Sequence, residues 1–179
     1  MNEASASILL VDDEQNVLKA LSRILRGYRL TTAQSGEEAL SLAQGIEFDL
    51  VISDFRMPGL DGVAFLNRFK QLQPDAIRMI LTGYADLENA QKAINEAGVF
   101  RFLNKPWNNV DILNAVSVGL EYKRILTENR ELADQVRRQQ ALLKEQEAIL
   151  RALEEEEPGI TKVNWGPDGS IIINEEDYE

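Results

Sequence analysis

Residues 50–62 read Leu-Val-Ile-Ser-Asp-Phe-Arg-Met-Pro-Gly-Leu-Asp-Gly. A short apolar run ends in Ser53-Asp54, then Pro58 and Gly59 break the chain before an amphipathic stretch begins. The same pattern recurs outward in both directions. Ile8-Leu9-Leu10-Val11 runs into Asp12 and Asp13, Met79-Ile80-Leu81 into Thr82, and Phe100 to Leu103 into Asn104-Lys105. Apolar runs of this length, alternating with helical patterns, read as buried parallel strands. Three carboxylates, a hydroxyl and an amine therefore fall just past the ends of neighbouring strands, where an open parallel sheet binds its ligands.

The spacing predicts strands near 7–11, 29–33, 49–53, 77–81 and 100–103. Helices are expected between them. One runs from about Glu14 to Arg26, with Val17, Leu18, Leu21 and Leu25 on one stripe and Gly27 as its stop. A second starts near Ser35, where Ser35-Gly-Glu-Glu38 has the form of a capping box. A third covers 62–72, and a fourth 86–97 with Asp86 as N-cap. Five β/α units of this kind make a flavodoxin-like, doubly wound α/β sheet in the order 2-1-3-4-5. Clustered carboxylates suit a hard, oxygen-seeking cation such as Mg²⁺. A carboxylate beside that cation, with a Lys and a Thr nearby, can accept a phosphoryl group as an acyl phosphate.

The helix beginning at Asn109 has no expected stop before about Glu155: it contains no Pro, and its single Gly is Gly119. At 1.5 Å per residue this is ~70 Å of helix. A heptad seam can be counted along it, with Tyr122, Asn129, Val136, Leu143 and Leu150 at a and Val118, Ile125, Leu132, Gln139, Gln146 and Leu153 at d. A small domain cannot cover so long an apolar stripe, so a partner helix is expected. A parallel homodimer through 118–153 is the preferred reading, with Asn129 setting the register. Leu126, Leu142 and Ile149 flank the seam, and a four-helix arrangement also satisfies the pattern. The expected organisation is a domain over 1–120, a coiled-coil extension over 118–155 and an acidic tail over 158–179. In that tail Gly166-Pro-Asp-Gly169 separates two strand-like runs, as in a β-hairpin.

Composition narrows the function. The chain has 179 residues and a formal net charge of −11, which argues against a nucleic-acid or anionic membrane surface. It has no cysteine, which fits the cytoplasm, and no segment reads as a signal peptide or membrane span. It has no histidine, so it carries neither a phospho-accepting His nor the His ligands of a metal-dependent phosphodiesterase.

The ordered set Val-Asp-Asp-Glu (11–14), Ser-Asp-Phe-Arg-Met-Pro-Gly-Leu-Asp-Gly (53–62), Leu-Thr-Gly-Tyr (81–84) and Asn-Lys-Pro-Trp (104–107) resembles the receiver domain of two-component response regulators. The wider texture, with Gly-Tyr-Ala-Asp (83–86) and Phe-Arg-Phe-Leu-Asn-Lys-Pro-Trp (100–107), looks like receivers of HD-phosphodiesterase and hydrogenase-regulator proteins. The resemblance implies that Asp54 accepts phosphoryl from a histidine kinase or phosphotransfer protein. It implies Mg²⁺ held by Asp13 directly, Asp12 more through water, Asp54, and the backbone carbonyl of Arg56. It implies that Lys105 pairs with Asp54 at rest and with phosphoryl oxygen afterwards, aimed by a cis bond at Pro106, and that Thr82 turns its hydroxyl toward the phosphoryl group. Phe102 stands where the family carries a switch aromatic that moves inward with Thr82. A plain core Phe is the alternative, just as a helix cap is the alternative for Asp12 or Asp13. Receivers catalyse only their own phosphorylation and hydrolysis, so no separate enzyme activity is expected. No output-domain motif follows residue 120, which leaves signalling through an unknown output protein and coiled-coil pairing. The contrasting reading is a constitutive coiled-coil scaffold with an inert receiver cap.

Overall fold

The computed structural model describes residues 6–83 and 97–156. Five strands, β1 (Ser7–Val11), β2 (Arg29–Ala33), β3 (Leu50–Asp54), β4 (Ile77–Thr82) and β5 (Arg101–Asn104), form one parallel sheet in the order β2-β1-β3-β4-β5. This is the flavodoxin-like topology expected from the strand pattern. The described helices are α1 (Gln15–Ile24), α2 (Gly36–Ala43), α3 (Gly62–Leu72) and the long α4 (Asn109–Glu156). The helix expected over 86–97, apart from its last residue, and the tail hairpin over 158–179 lie outside the described residues.

Period-two alternation distributes the sheet's side chains to two cores. Ile8 and Leu10 of β1, Leu50 and Ile52 of β3, and Met79 and Leu81 of β4 pack with Leu18 and Leu21 of α1 and Ile112, Val116 and Leu120 of α4. Leu9, Val11, Val51 and Ile80 point the other way, onto Ala39 and Ala43 of α2 and Phe65, Leu66 and Phe69 of α3. Both faces are covered, which explains why these strands read as continuous apolar runs.

The helix starts are held individually. Ser35 Oγ accepts the Glu38 N–H at 3.1 Å, as a cap should, but Glu38 Oε2 reaches back to the Gln34 N–H at 2.7 Å. The reciprocal half of the expected box is therefore displaced by one residue. Asp61 Oδ1 caps α3 through the Ala64 N–H at 2.8 Å. Two polar side chains bind backbone across long stretches of chain. Gln73 takes the Phe48 N–H and donates to the carbonyls of Ala43 and Ile46. Arg78 donates to the carbonyls of Pro74, Ala76, Ala97 and Gly98.

The chain divides into two compact units between Glu128 and Asn129. In the first, α4 packs well past residue 120. Gly119 lies against Ile77, Met79 and Leu50, Tyr122 stacks on Phe100 at 5.2 Å between ring centroids, and Lys123 pairs with Asp49 at 2.6 Å. These contacts carry the packed unit beyond the boundary read at 120. In the second unit the described residues are the helical turns of 129–156, in which Leu132, Val136, Leu143, Leu150 and Leu153 are exposed.

Candidate functional site

The register of the sheet brings the predicted residues to one edge. Asp54, the last residue of β3, lies opposite Leu81, and Thr82, the last of β4, lies opposite Asn104. Backbone bonds Phe55 N to Leu81 O and Lys105 N to Thr82 O, both 2.9 Å, extend the ladder past the strand ends. Asp12 follows β1, its N–H on the Ala33 carbonyl at 3.2 Å.

Asp12 is fully buried, Asp13 is exposed, and Asp54 is buried at the end of its strand. Oxygens of these three carboxylates lie within 4.8 Å of one another. Lys105 Nζ sits between two of them, 2.7 Å from Asp54 Oδ1 and 2.9 Å from Asp12 Oδ2. The remaining Asp12 oxygen accepts the Glu14 N–H at 2.8 Å, so Asp12 also shapes the turn into α1. The N-cap of α1 is Glu14, so this bond shapes the turn before the helix and does not cap it. The other Asp54 oxygen accepts the Arg56 N–H at 3.2 Å. Thr82 is buried, its Oγ1 donating to the Gly83 carbonyl at 3.2 Å, and the Lys105–Pro106 bond is cis.

Phe102 is 38% exposed. Trp107 is partly buried against the core that α1 and α4 share.

Gly62 does work that its motif did not announce. A Cβ there would lie 1.9 Å from the Asp54 carbonyl oxygen, and the Gly62 N–H bonds the Phe55 carbonyl at 3.0 Å. The start of α3 is thus pressed directly onto the backbone of Asp54. Ser53 Oγ holds the same carbonyl at 2.9 Å. Glycine after an N-cap Asp was the available signal, but nothing local says which backbone it meets.

Three carboxylates and one ammonium leave this small volume with an excess of negative charge. Burial pushes the Asp54 carboxyl above the ordinary carboxylate range; Lys105 opposes that rise and Asp12 adds to it. Burial also disfavours the Lys105 ammonium, but Asp54 and Asp12 outweigh it and raise its pKa. The donor set is all oxygen, anionic and clustered, which fits a hard divalent cation.

The model of the response regulator receiver domain matches residues 8–117. The chain belongs to the response regulator receiver family. This receiver is 34% identical over 122 residues to the hydrogenase transcriptional regulatory protein HoxA of Cupriavidus necator, covering 68% of this chain and 25% of that one. It is 34% identical over 176 residues to the transcriptional regulatory protein GlrR of Escherichia coli K12, covering 97% of this chain and 37% of that one. Among solved structures, the signal receiver domain of an HD domain-containing protein from Pseudomonas fluorescens Pf-5 is 38% identical with a TM-score of 0.64, covering 67% of this chain and 98% of that one. The chain thus spans about a quarter of HoxA and little more than a third of GlrR. Both resemblances read from the motif texture, to hydrogenase regulators and to HD-domain proteins, recur here. No helix among the described residues is long and apolar enough to cross a membrane.

Proposed function

We propose that this receiver is a phosphorylation-controlled signalling switch whose acceptor is Asp54. The observation that carries the reading is the Asp12–Asp13–Asp54 cluster with Lys105 bridging Asp12 and Asp54. The donor is a phosphohistidine on a histidine kinase or phosphotransfer protein. An Asp54 carboxylate oxygen forms a bond to phosphorus, the bond from phosphorus to the donor imidazole nitrogen breaks, and the imidazole takes a proton. Asp12, Asp13, Asp54 and the Arg56 carbonyl would hold Mg²⁺, which would supply positive charge to offset that of the incoming phosphoryl group. Lys105 moves its ammonium from Asp54 Oδ1 to a phosphoryl oxygen, a role suited to a compact point charge. Thr82 Oγ1 exchanges the Gly83 carbonyl for another phosphoryl oxygen, and Phe102, now exposed, is the aromatic that follows it inward.

The output is contact with other proteins. The exposed a and d residues of α4, from Val118 to Leu153, pair with a second copy as a parallel coiled coil, and the active form hands its signal to an output protein. Such a protein works in the cytoplasm, where the kinase's phosphohistidine is presented.

The test is intact mass after incubation with acetyl phosphate. Wild type with Mg²⁺ gains one phosphoryl group. Asp54→Ala gains none, and neither does wild type without Mg²⁺. A wild-type chain that gains nothing with Mg²⁺ favours the inert scaffold, and an Asp54→Ala chain that still gains the group places the acceptor elsewhere.

A further inference from the structure

On the flank of the sheet formed by its edge strand β2, a cleft of about 420 Å³ opens between that strand and α1. Gln15, Lys19, Ser22 and Arg23 line it from the helix and Thr32 and Gln34 from the strand side, over the buried Leu18. Lys19 and Arg23 are one turn apart, so both face the same volume. Among the described residues no carboxylate lines the cleft, although the chain carries a net charge of −11. The side chains of Gln15, Lys19, Ser22, Arg23, Thr32 and Gln34 have no hydrogen bond or ion pair among the described residues. The nearby Glu38 carboxylate accepts the Gln34 N–H at 2.7 Å. Two cations, two hydroxyls and two amides thus line one volume without partners among the described residues; Ser22 is half-buried and the other five are exposed.

The geometry points to a binding site for a small phosphate ester in this cleft. A phosphate dianion takes up both charges at once: the planar guanidinium of Arg23 offers paired donors, and the Lys19 ammonium adds a point charge. Ser22 and Thr32 can donate to the remaining phosphate oxygens, and Gln15 and Gln34 can bind the hydroxyls of a sugar-sized body. The volume admits a body of that size in a groove open to solvent. A simple carboxylate would use the charges but leave the amides without partners. The site is separate from the Asp54 cluster and does not depend on phosphorylation there.

Amide shifts of the full chain are followed by NMR as glucose 6-phosphate is added, without divalent cations and at constant ionic strength. Glucose and inorganic phosphate serve as separate probes. The expected result is saturable shifts at 15–23 and 32–34, weaker for inorganic phosphate and absent for glucose. In the double variant Lys19→Gln, Arg23→Gln the affinity falls about tenfold or more, as loss of two charge-assisted contacts requires. Arg68→Gln on α3 leaves it unchanged, and a melting curve for each variant shows that the fold is intact. Shifts that rise without saturation, that centre on Asp12, Thr82 and Lys105, or that persist in the folded double variant overturn the proposal.

Discussion

Lys123 Nζ lies 2.6 Å from Asp49 Oδ1, joining α4 to the residue just before β3 across 74 positions of sequence. The second Asp49 oxygen accepts the Ser7 N–H at 2.8 Å at the start of β1. One carboxylate therefore ties two strands and a helix together at the end of the sheet away from the candidate site. Burial acts to raise the Asp49 pKa, but Lys123 and the Ser7 amide outweigh it, so the carboxyl titrates below its ordinary value of 3.8. A depressed carboxyl stabilises the fold above its unfolded pKa and loses that contribution as pH falls through the folded value. Asp49→Asn is thus expected to cost on the order of 1 kcal/mol near neutral pH. The gap from wild type should close as pH drops below 3.8, measured as urea midpoints at neutral and acid pH.

Two glycine-to-alanine changes should differ in cost. At Gly62 the new methyl meets the Asp54 carbonyl oxygen at 1.9 Å and its carbon at 2.9 Å, both backbone atoms that cannot yield alone. At Gly119 it meets Met79 Cε at 2.7 Å, the end of a flexible side chain, with Ile77 and Leu50 just beyond. Overpacking against backbone is expected to cost about 3 kcal/mol. At Gly119 the helix preference for Ala, about 1 kcal/mol, offsets much of the strain. Urea unfolding should rank Gly62→Ala below Gly119→Ala, and the first should also slow phosphorylation because it displaces Asp54. An equal or reversed order would count against the close contact.

Lys105→Met should make the fold depend on divalent cation. The ammonium lies 2.9 Å from Asp12 and 2.7 Å from Asp54, and removing it leaves those carboxylates facing each other. The expected loss without Mg²⁺ is roughly 2 kcal/mol, below that of a fully buried pair because Lys105 is partly exposed. Millimolar Mg²⁺ should raise the variant's melting temperature more than the wild type's. Equal shifts would mean that the cation does not neutralise these carboxylates.

Cutting after Glu128 and cutting after Val118 should give different proteins. The longer piece keeps Gly119, Leu120, Tyr122 and Lys123 on the sheet and should unfold cooperatively. The shorter one loses all four and should be less stable or unfolded. Sedimentation should find the full chain dimeric at tens of micromolar and the 1–128 piece monomeric. A dimeric 1–128 piece would move the pairing surface off the seam.

The parts of the fold legible in the sequence are those with local signals. Ile8 to Val11 and Leu50 to Ile52 announce buried strands because both faces of a parallel sheet are covered, and Ser35 announces a helix start because its side chain bonds three residues on. The candidate site was legible because each of its polar residues follows such a strand. The Asp49–Lys123 pair, the four carbonyls on Arg78 and the three backbone groups on Gln73 were not, since their partners are distant in sequence and only the finished fold brings them together. The reach of α4 packing to Lys123 was hidden for a related reason. Val118 and Ile125 satisfy the heptad count, Gly119, Leu120 and Lys123 between them serve the sheet, and Tyr122 does both. One helix carries two patterns there, and counting the first conceals the second.

The central claim is that Asp54 forms an acyl phosphate. Borohydride reduces an acyl phosphate of aspartate to homoserine and leaves free carboxylates untouched. After treatment with acetyl phosphate and Mg²⁺, reduction and proteolysis, peptide mass mapping should find homoserine at position 54 and at no other aspartate. Homoserine at Asp12 or Asp13, or none anywhere in a protein that has gained phosphoryl mass, would contradict the account.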